Sequence, residues 1–199
     1  SQVLWGTSNG GHTCVVKILL EVIGINVNAA NNSRTPLYDS CFQGFVDIVK
    51  VLLAAKDTDV NQANKEGSTP LYIASYKGHT DIVKVLLAAK DININQAKKD
   101  GRTPLYIASE RGHTDIVKIL LATKDIDVNK ASKEGVTPLY IASQEGHTDV
   151  IKQLLTMSGL DLNKDFKGTS PLKIAITNTH TEIVQLLKDA GATYTMKEA

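Results

Sequence analysis

The sequence contains five histidines, whose side chains are the best suited to catalysis or metal binding. Imidazole can bind zinc or act as a general base near neutral pH. They are His12, His79, His113, His147 and His180. The last four are spaced by 34, 34 and 33 residues, so they share one place in a repeating unit. Packed helices lie about 8 to 10 Å apart, whereas ligands of one zinc ion lie about 2 Å from it. We therefore interpret the histidines as structural, each bonded to neighbouring turns, and expect no metal.

The spacing of the other polar residues does not indicate any grouping that could support catalysis. Serine, aspartate and histidine occur, but no spacing brings a nucleophile, a base and an orienting acid together. The sequence shows neither a phosphate-binding loop nor a paired-cysteine motif. Cys14 and Cys41 are the two cysteines and stand at unrelated repeat positions, which favours free thiols in a reducing compartment. We predict that the protein is not an enzyme and needs no cofactor.

The repeating unit is seen most clearly in residues 68–101, STPLYIASYKGHTDIVKVLLAAKDININQAKKDG. Thr69 is suited to cap a first helix, and Pro70 fits its first position, where an N–H would have no partner. Gly78 favours the left-handed conformation that ends a helix. Thr80 is expected to cap a second, apolar helix, antiparallel to the first. The alternating residues 91–95 then indicate an extended, hairpin-like connector.

This unit recurs along most of the chain. Thr-Pro-Leu begins at Thr35, Thr69, Thr103 and Thr137 and returns as Ser-Pro-Leu at Ser170, with spacings of 34, 34, 34 and 33 residues. A period of this size indicates a solenoid, because one repeat cannot bury its apolar face alone. We predict one array over residues 1–199, in which residues 194–199 fray. Its repeats are approximately 1–34, 35–68, 69–102, 103–136, 137–169 and 170–199.

The motifs TPLYIAS, GHTDIV and VLL resemble the ankyrin repeat, whose signature is T-P-L-H-x-A with a period near 33. The resemblance implies an all-α ankyrin-repeat solenoid of stacked helix-turn-helix units with hairpin-like connectors. Two departures recur: the connector is one residue longer, and tyrosine replaces the motif histidine. The replacements are Tyr38, Tyr72, Tyr106 and Tyr140. Their rings either pack between repeats or offer rigid anchors to a partner.

The composition of the chain excludes further classes of function. The chain has 199 residues, of which 42% are hydrophobic and 22% charged, with a net charge of +1. Such a balance lacks the basic stripe that binds nucleic acid. No apolar run is long enough to span a membrane, and the N-terminus lacks signal-peptide features. We expect a soluble, intracellular protein of the cytoplasm.

The resemblance implies that a protein partner docks on a concave face made by hairpin tips and first helices. Along this face the scaffold is constant while positions expected to be exposed change from repeat to repeat. They are Lys65, Glu66, Ser68, Tyr76 and Lys77, then Lys99, Asp100, Arg102, Glu110 and Arg111, then Lys133, Glu134, Val136, Gln144 and Glu145. We predict a non-enzymatic protein-binding module with these contacts. The alternative is a self-assembling structural scaffold, natural or redesigned.

Repeat one departs from the pattern in a way that favours this alternative. Cys14 replaces an aspartate and Ile23 a lysine of the inner repeats, so apolar residues stand at polar positions. An exposed apolar patch would mark self-association into a symmetric homo-oligomer. Its candidate residues are Trp5, Cys14, Val22, Ile23, Phe42 and Phe45. An improvised N-terminal cap would explain the same residues.

Two further features concern buried polarity. Asp39 takes the position of Ile73, Ile107 and Ile141, and repeat one has Gly6 there. A carboxylate in such a place requires a partner or water, so we expect either a solvated end of the stack or a small polar pocket at Gly6 and Asp39. The recurring asparagines are interpreted as satisfying backbone groups in the connectors. They are Asn28, Asn61, Asn95, Asn129 and Asn163.

Overall fold

The computed structural model describes residues 2–22 and 24–193; Ile23 and the tail 194–199, expected to fray, lie outside the described residues. In the described part the regular structure is twelve short α-helices and no β-strand, which confirms the all-α prediction. The helices are α1 Gln2–Asn9, α2 Thr13–Leu20, α3 Pro36–Gln43, α4 Val46–Ala54, α5 Pro70–Lys77, α6 Thr80–Leu87, α7 Pro104–Glu110, α8 Thr114–Leu121, α9 Pro138–Glu145, α10 Thr148–Leu154, α11 Pro171–Thr177 and α12 Thr181–Asp189. Across these residues, no helix has the length and apolarity needed to cross a bilayer.

The first helix of each of the last five repeats begins as the sequence predicts. In α5, the hydroxyl of Thr69 accepts a hydrogen bond of 3.1 Å from the backbone N–H of Tyr72, and Pro70 is the first helical residue. The same cap forms at Thr35, Thr103, Thr137 and Ser170. Each cap satisfies an N–H that would otherwise have no partner in the helix.

The second helices begin differently, and the predicted cap at Thr80 is wrong. The cap residue of α6 is His79, and its side chain makes no capping hydrogen bond. The turn between α5 and α6 is tighter than expected. Gly78 is left-handed with φ of 79°, and the N–H of Thr80 donates to the Gly78 carbonyl over 3.0 Å. Thr80 is therefore already helical, which leaves its hydroxyl no role as a cap.

The helices form two compact units, Ser1–Lys99 and Asp100–Ala199. In the first unit α3 packs between α1 and α5, and α4 packs between α2 and α6. In the second unit α9 packs between α7 and α11, and α10 between α8 and α12. First helices thus stack on first helices and second helices on second helices, as expected of units that cannot bury their apolar faces alone.

The core of each unit lies between the two layers of helices. In repeat three it contains Leu71 and Ala74 from α5 with Ile82, Val83 and Leu86 from α6, all buried as their spacing predicts. Leu87 is only half-buried, because it lies at the edge of the apolar face. The core positions recur in the other repeats, so the same short apolar sequence is sufficient for each layer.

The connectors are turns stabilised by asparagine, which confirms the interpretation of that series. The Asn61 side chain donates to the Asp91 carbonyl over 2.7 Å and accepts from the Asn93 N–H over 2.9 Å. In the second unit Asn129 makes the corresponding bonds to Gly159 and Asp161. Each asparagine thus bonds the connector of the following repeat and fixes the register of the stack.

Candidate binding face

The hairpin tips and first helices of each unit form one surface, here called the tip face. At the tip of repeat three, the Asn64 side-chain oxygen accepts from the N–H groups of Glu66 and Ser68, over 2.9 and 3.0 Å. The Glu66 carbonyl accepts from the Lys99 N–H of the next tip over 3.0 Å. The tips are therefore held by backbone hydrogen bonds and carry their side chains in defined positions.

Two glycines permit this close approach between tips. Gly67 and Gly101 have φ of 78° and 85°, a conformation that other residues rarely adopt. A Cβ atom at Gly67 would lie 2.9 Å from the Lys99 nitrogen, and one at Gly101 would lie 2.5 Å from the Lys133 nitrogen. Any larger residue would push the tips apart, so glycine at these positions is needed for the spacing of the tip face.

In the first unit the tip face combines lysines with aromatic rings. The Lys77 ammonium lies 4.2 Å from the centre of the Phe42 ring and 5.9 Å from that of Tyr76. The Lys98 ammonium lies 5.4 Å from the centre of the Tyr72 ring. A cation over an aromatic face is attracted by the electrons of the ring, which restricts these otherwise flexible side chains.

In the second unit the tip face is organised around Arg102. Its guanidinium lies 3.2 Å from the Asp100 carboxylate and 3.5 Å from the Glu110 carboxylate, and it covers the Tyr106 ring at 5.8 Å. Arg102 thereby joins the hairpin tip to helix α7. A planar guanidinium suits such multiple contacts better than a lysine does, so the network presents charge with a fixed orientation.

The predicted contact residues divide into three groups by exposure. The exposed ones are Lys65, Glu66, Lys77, Lys99, Arg111, Lys133, Glu134 and Glu145. The half-buried ones are Tyr76, Asp100, Arg102, Glu110 and Gln144. The expected exposure of Ser68 and Val136 is wrong, because these side chains are only 4% and 6% exposed.

Ser68 and Val136 occupy the same position of their repeats, and both are buried because their side chains lie beneath the hairpin tip. The Tyr38 hydroxyl donates to the Ser68 hydroxyl over 3.5 Å. Val136 packs in a cluster with Tyr106 and Tyr140. A small residue at this position fills the space under the tip, whereas the longer Arg102 reaches its surface.

The recurring tyrosines are buried, which supports packing between repeats over the alternative that they offer rigid anchors to a partner. Tyr38, Tyr72, Tyr106 and Tyr140 are all buried. Burial, with a smaller contribution from the Glu110 carboxylate, raises the pKa of Tyr106 to about 12. The Tyr140 ring meets Phe166 edge to face, with ring centres 5.6 Å apart. These rings support the tip face from below.

Asp39 is fully buried, so the expectation of a solvated end is wrong at this residue. Its carboxylate lies 3.2 Å from the Arg34 side chain, although neither oxygen accepts a hydrogen bond of good geometry. Burial raises the pKa of Asp39, while Arg34 and the Trp5 indole oppose the rise. Gly6 is exposed, and no atom outside the local backbone of its own helix lies within 4 Å of the place of its missing side chain. An ion pair thus compensates the Asp39 carboxylate.

Of the six residues predicted for self-association, the five that the structure describes differ in exposure. Cys14 and Val22 are exposed, whereas Trp5, Phe42 and Phe45 are half-buried. Phe42 lies under Lys77, and the Phe45 ring packs over Gly11. Ile23 lies outside the described residues.

Four exposed apolar residues of the described chain escaped the sequence analysis: Val3, Val15, Ile18 and Ile176. Val15 aligns with Ile48 and Ile82, which are buried. An apolar residue at that position therefore looked like ordinary core. The sequence offers no signal for this difference, because the residues at this position are similar in all three repeats.

Three of the five histidines bond the preceding repeat as predicted. The Nε2 atoms of His79, His147 and His180 lie 3.3, 3.0 and 3.1 Å from carbonyl oxygens of the preceding repeat. Because a carbonyl only accepts, Nε2 must carry the proton in each bond. These carbonyls belong to the last turns of α3, α7 and α9. Within the described residues, no group of three possible ligands could hold a metal ion.

Comparison with known proteins accords with this geometry. The family profile "Ankyrin repeats (3 copies)" matches residues 3–64, 54–132 and 126–198. The crystal structure of EF0377, an ankyrin repeat protein, is similar with a TM-score of 0.86 and 27% sequence identity. The likeness covers 96% of this chain and 97% of that one. No curated protein sequence gave a significant match. Because the profile covers nearly the whole sequence and the helical pairs stack as described, this chain belongs to the ankyrin-repeat family.

Proposed function

We propose that this chain is a non-enzymatic protein-binding module that holds its partner on the tip face, the concave face of the predicted array. Ankyrin repeats are generally protein–protein interaction modules and are generally non-enzymatic. The observation that carries the proposal is a constant, hydrogen-bonded tip backbone whose exposed side chains differ between repeats.

The physical advantage of this face is preorganisation. Binding requires flexible groups to be ordered, and each long side chain fixed at an interface costs about 0.5 to 1.5 kcal/mol. Lys77 stacked on Phe42 and Arg102 paired with Asp100 and Glu110 are already restricted. The mixture of basic and acidic residues then selects a partner of complementary charge.

A charge reversal with a matched control tests this proposal. Lys65, Lys99 and Lys133 are exposed on the tips of successive repeats, and Lys50, Lys84 and Lys118 are exposed on the second helices. Replacing each set with glutamate changes the net charge equally. We expect the tip variant to lose capture of a cellular protein partner and the second-helix variant to retain it, with similar melting temperatures. Equal loss, or retention by both, would place the interface elsewhere.

The proposal includes the organisation predicted from the sequence: one array over residues 1–199 with six repeats, a protein partner and no nucleic acid. A cytoplasmic location is part of it and is supported by the free thiols of Cys14 and Cys41. Mapping protected amides by hydrogen exchange in the bound complex would identify the repeats that contribute contacts. Protection confined to the second helices would contradict a tip-face interface.

A further inference from the structure

In the first unit, acidic residues are segregated away from the tip face. Six of its acidic residues lie on the second helices or in the connectors that follow them: Glu21, Asp47, Asp57, Asp59, Asp81 and Asp91. Asp39 is fully buried beside Arg34. Among the residues that the structure describes, Glu66 is therefore the one exposed carboxylate of this part of the tip face.

Lysines are concentrated on the same part of the tip face. Lys65 and Glu66 lie on one tip, and Lys98 and Lys99 lie on the next. The Glu66 carbonyl accepts from the Lys99 N–H over 3.0 Å, so the two tips are adjacent. Lys77 is the last residue of α5. Lys65, Lys77 and Lys99 are exposed, and Lys98 is half-buried. Four ammonium groups beside one carboxylate give this surface a positive potential, which attracts anionic groups.

Aromatic rings hold two of these lysines in place along α5. The Lys98 ammonium lies 5.4 Å from the centre of the Tyr72 ring. Tyr76 follows Tyr72 by four residues, the spacing that places both on one side of the helix. The Lys77 ammonium lies between the rings of Tyr76 and Phe42, at 5.9 and 4.2 Å from their centres. The positive charge is thus carried on a strip with a fixed shape.

The second unit has no such excess of positive charge among its predicted contacts. Its cations there are Arg102, Arg111 and Lys133, and its anions are Asp100, Glu110, Glu134 and Glu145. The Arg102 guanidinium is already shared by Asp100 and Glu110, at 3.2 and 3.5 Å. The two units therefore present different electrostatic surfaces from the same backbone pattern.

We propose that the first unit binds an acidic segment of the partner protein on this surface, here called the lysine strip: Lys65, Lys77, Lys98 and Lys99 with the rings of Phe42 and Tyr76. This inference rests on the proposed function and names the chemistry of the partner. Carboxylates of the segment contact the ammonium groups, and the aliphatic parts of its side chains pack beside the two rings. Charge complementarity of this kind selects the partner and speeds its association.

The lysine strip suits carboxylates better than a nucleic acid. Single-stranded nucleic acids bind by stacking bases on exposed aromatic faces, whereas the face of Phe42 is covered by the Lys77 ammonium. A phosphate backbone carries a dense, regular charge, and Glu66 interrupts the lysines on the tips. A protein segment can place an uncharged or basic residue beside Glu66.

Fluorescence anisotropy with labelled decaglutamate tests the proposal at low salt. The triple variant Lys65→Gln, Lys77→Gln and Lys99→Gln should raise the dissociation constant about tenfold, because three attractions are lost. The matched control is Lys17→Gln, Lys50→Gln and Lys84→Gln, which removes three exposed lysines from second helices of the same unit and should change it little. Absence of binding, or equal loss in both variants, overturns the proposal.

A second control places the site in the first unit. Arg111→Gln, Lys133→Gln and Lys167→Gln remove three exposed cations from the tip face of the second unit. We expect this variant to bind decaglutamate nearly as the wild type does, because these cations lie among carboxylates. A loss as large as that of the lysine-strip variant would contradict a site in the first unit.

The Phe42 ring tests whether the lysines act as an ordered strip. Phe42→Leu should weaken decaglutamate binding about two- to fivefold, because Lys77 loses the ring that restricts it. Phe42→Tyr keeps an aromatic ring and should bind as the wild type does. Circular dichroism and the melting temperature show whether each variant is folded. If the folded Phe42→Leu variant binds at full strength, the ordering of Lys77 has no part in recognition.

A comparison of probes separates this inference from the proposed function. If the lysine-strip variant loses a cellular protein partner although the wild type does not bind decaglutamate, the tip face is an interface and the acidic chemistry is wrong. If the cellular partner is retained and decaglutamate is lost, the strip is not the surface that the partner uses, which also contradicts the inference. Tighter binding of a ten-nucleotide oligothymidylate than of decaglutamate, lost in the same variant, would assign the strip to nucleic acid instead.

Discussion

Helices α2 and α6 have nearly the same sequence and opposite surroundings. Their sequences are TCVVKILL and TDIVKVLL. In α6, Ile82 is fully buried and Lys84 pairs with Asp81. In α2, Val15 is exposed and Lys17 has no aspartate to pair with. The comparison teaches that a repeat position acquires its role from what covers it, so equal residues serve as core in one layer and as surface in another.

The largest predicted effect is a difference in stability between substitutions at Ile82 and at Val15, which occupy equivalent positions. Ile82→Ala should lower the free energy of unfolding by about 2 to 5 kcal/mol, because a fully buried side chain leaves a cavity. Val15→Ala should lower it by less than about 1 kcal/mol, because this side chain is exposed. Urea unfolding followed by circular dichroism measures both. Equal losses would show that Val15 is covered as Ile82 is and would contradict the comparison.

A smaller effect should arise at Asp39, which stands where the next repeat has Ile73. Arg34→Ala should destabilise the fold by about 1 to 3 kcal/mol, because it leaves a buried carboxylate without its counterion. Adding Asp39→Ile to that variant should recover the loss, since an apolar residue at this position suits the inner layers. If the double variant unfolds as easily as Arg34→Ala, the ion pair is not what stabilises Asp39.

The same residue predicts a dependence on pH. The pKa of Asp39 is raised above the ordinary value of 3.8 by burial, so the folded protein holds this proton more tightly than the unfolded chain. Stability should therefore fall as pH rises from about 4 through the folded pKa. Asp39→Asn should remove that decline, which the difference between the two unfolding curves measures. A decline of equal size in both proteins would assign it to other groups.

The smallest effect should separate the two threonines that precede helices in repeat three. Thr69→Ala should cost about 1 kcal/mol, because its hydroxyl accepts from the Tyr72 N–H. Thr80→Ala should be neutral within about 0.5 kcal/mol, because Thr80 is already helical and alanine favours a helix. Thermal unfolding of the two variants decides between them. A larger loss at Thr80 would mean that its hydroxyl has a structural role despite lying inside the helix.

The sequence by itself determined the features that depend on neighbouring residues in the chain. The period, the caps at Thr35 and Thr69 and the apolar face of α6 could be predicted from local rules. The all-α architecture followed from their repetition, because each short helix needs a partner layer. The variable positions of the tip face were also evident, since repeats can be compared within one sequence.

Only the tertiary structure decided which copies of a position are covered. Burial of Ser68 beneath its tip and exposure of Ile18 on α2 depend on residues distant in the chain. The same holds for Arg34 beside Asp39, where only the folded geometry shows whether a side chain reaches a charge five residues away. The physical reason is that burial and pairing depend on distances in space. A repeated sequence places the same residue types at positions whose surroundings differ.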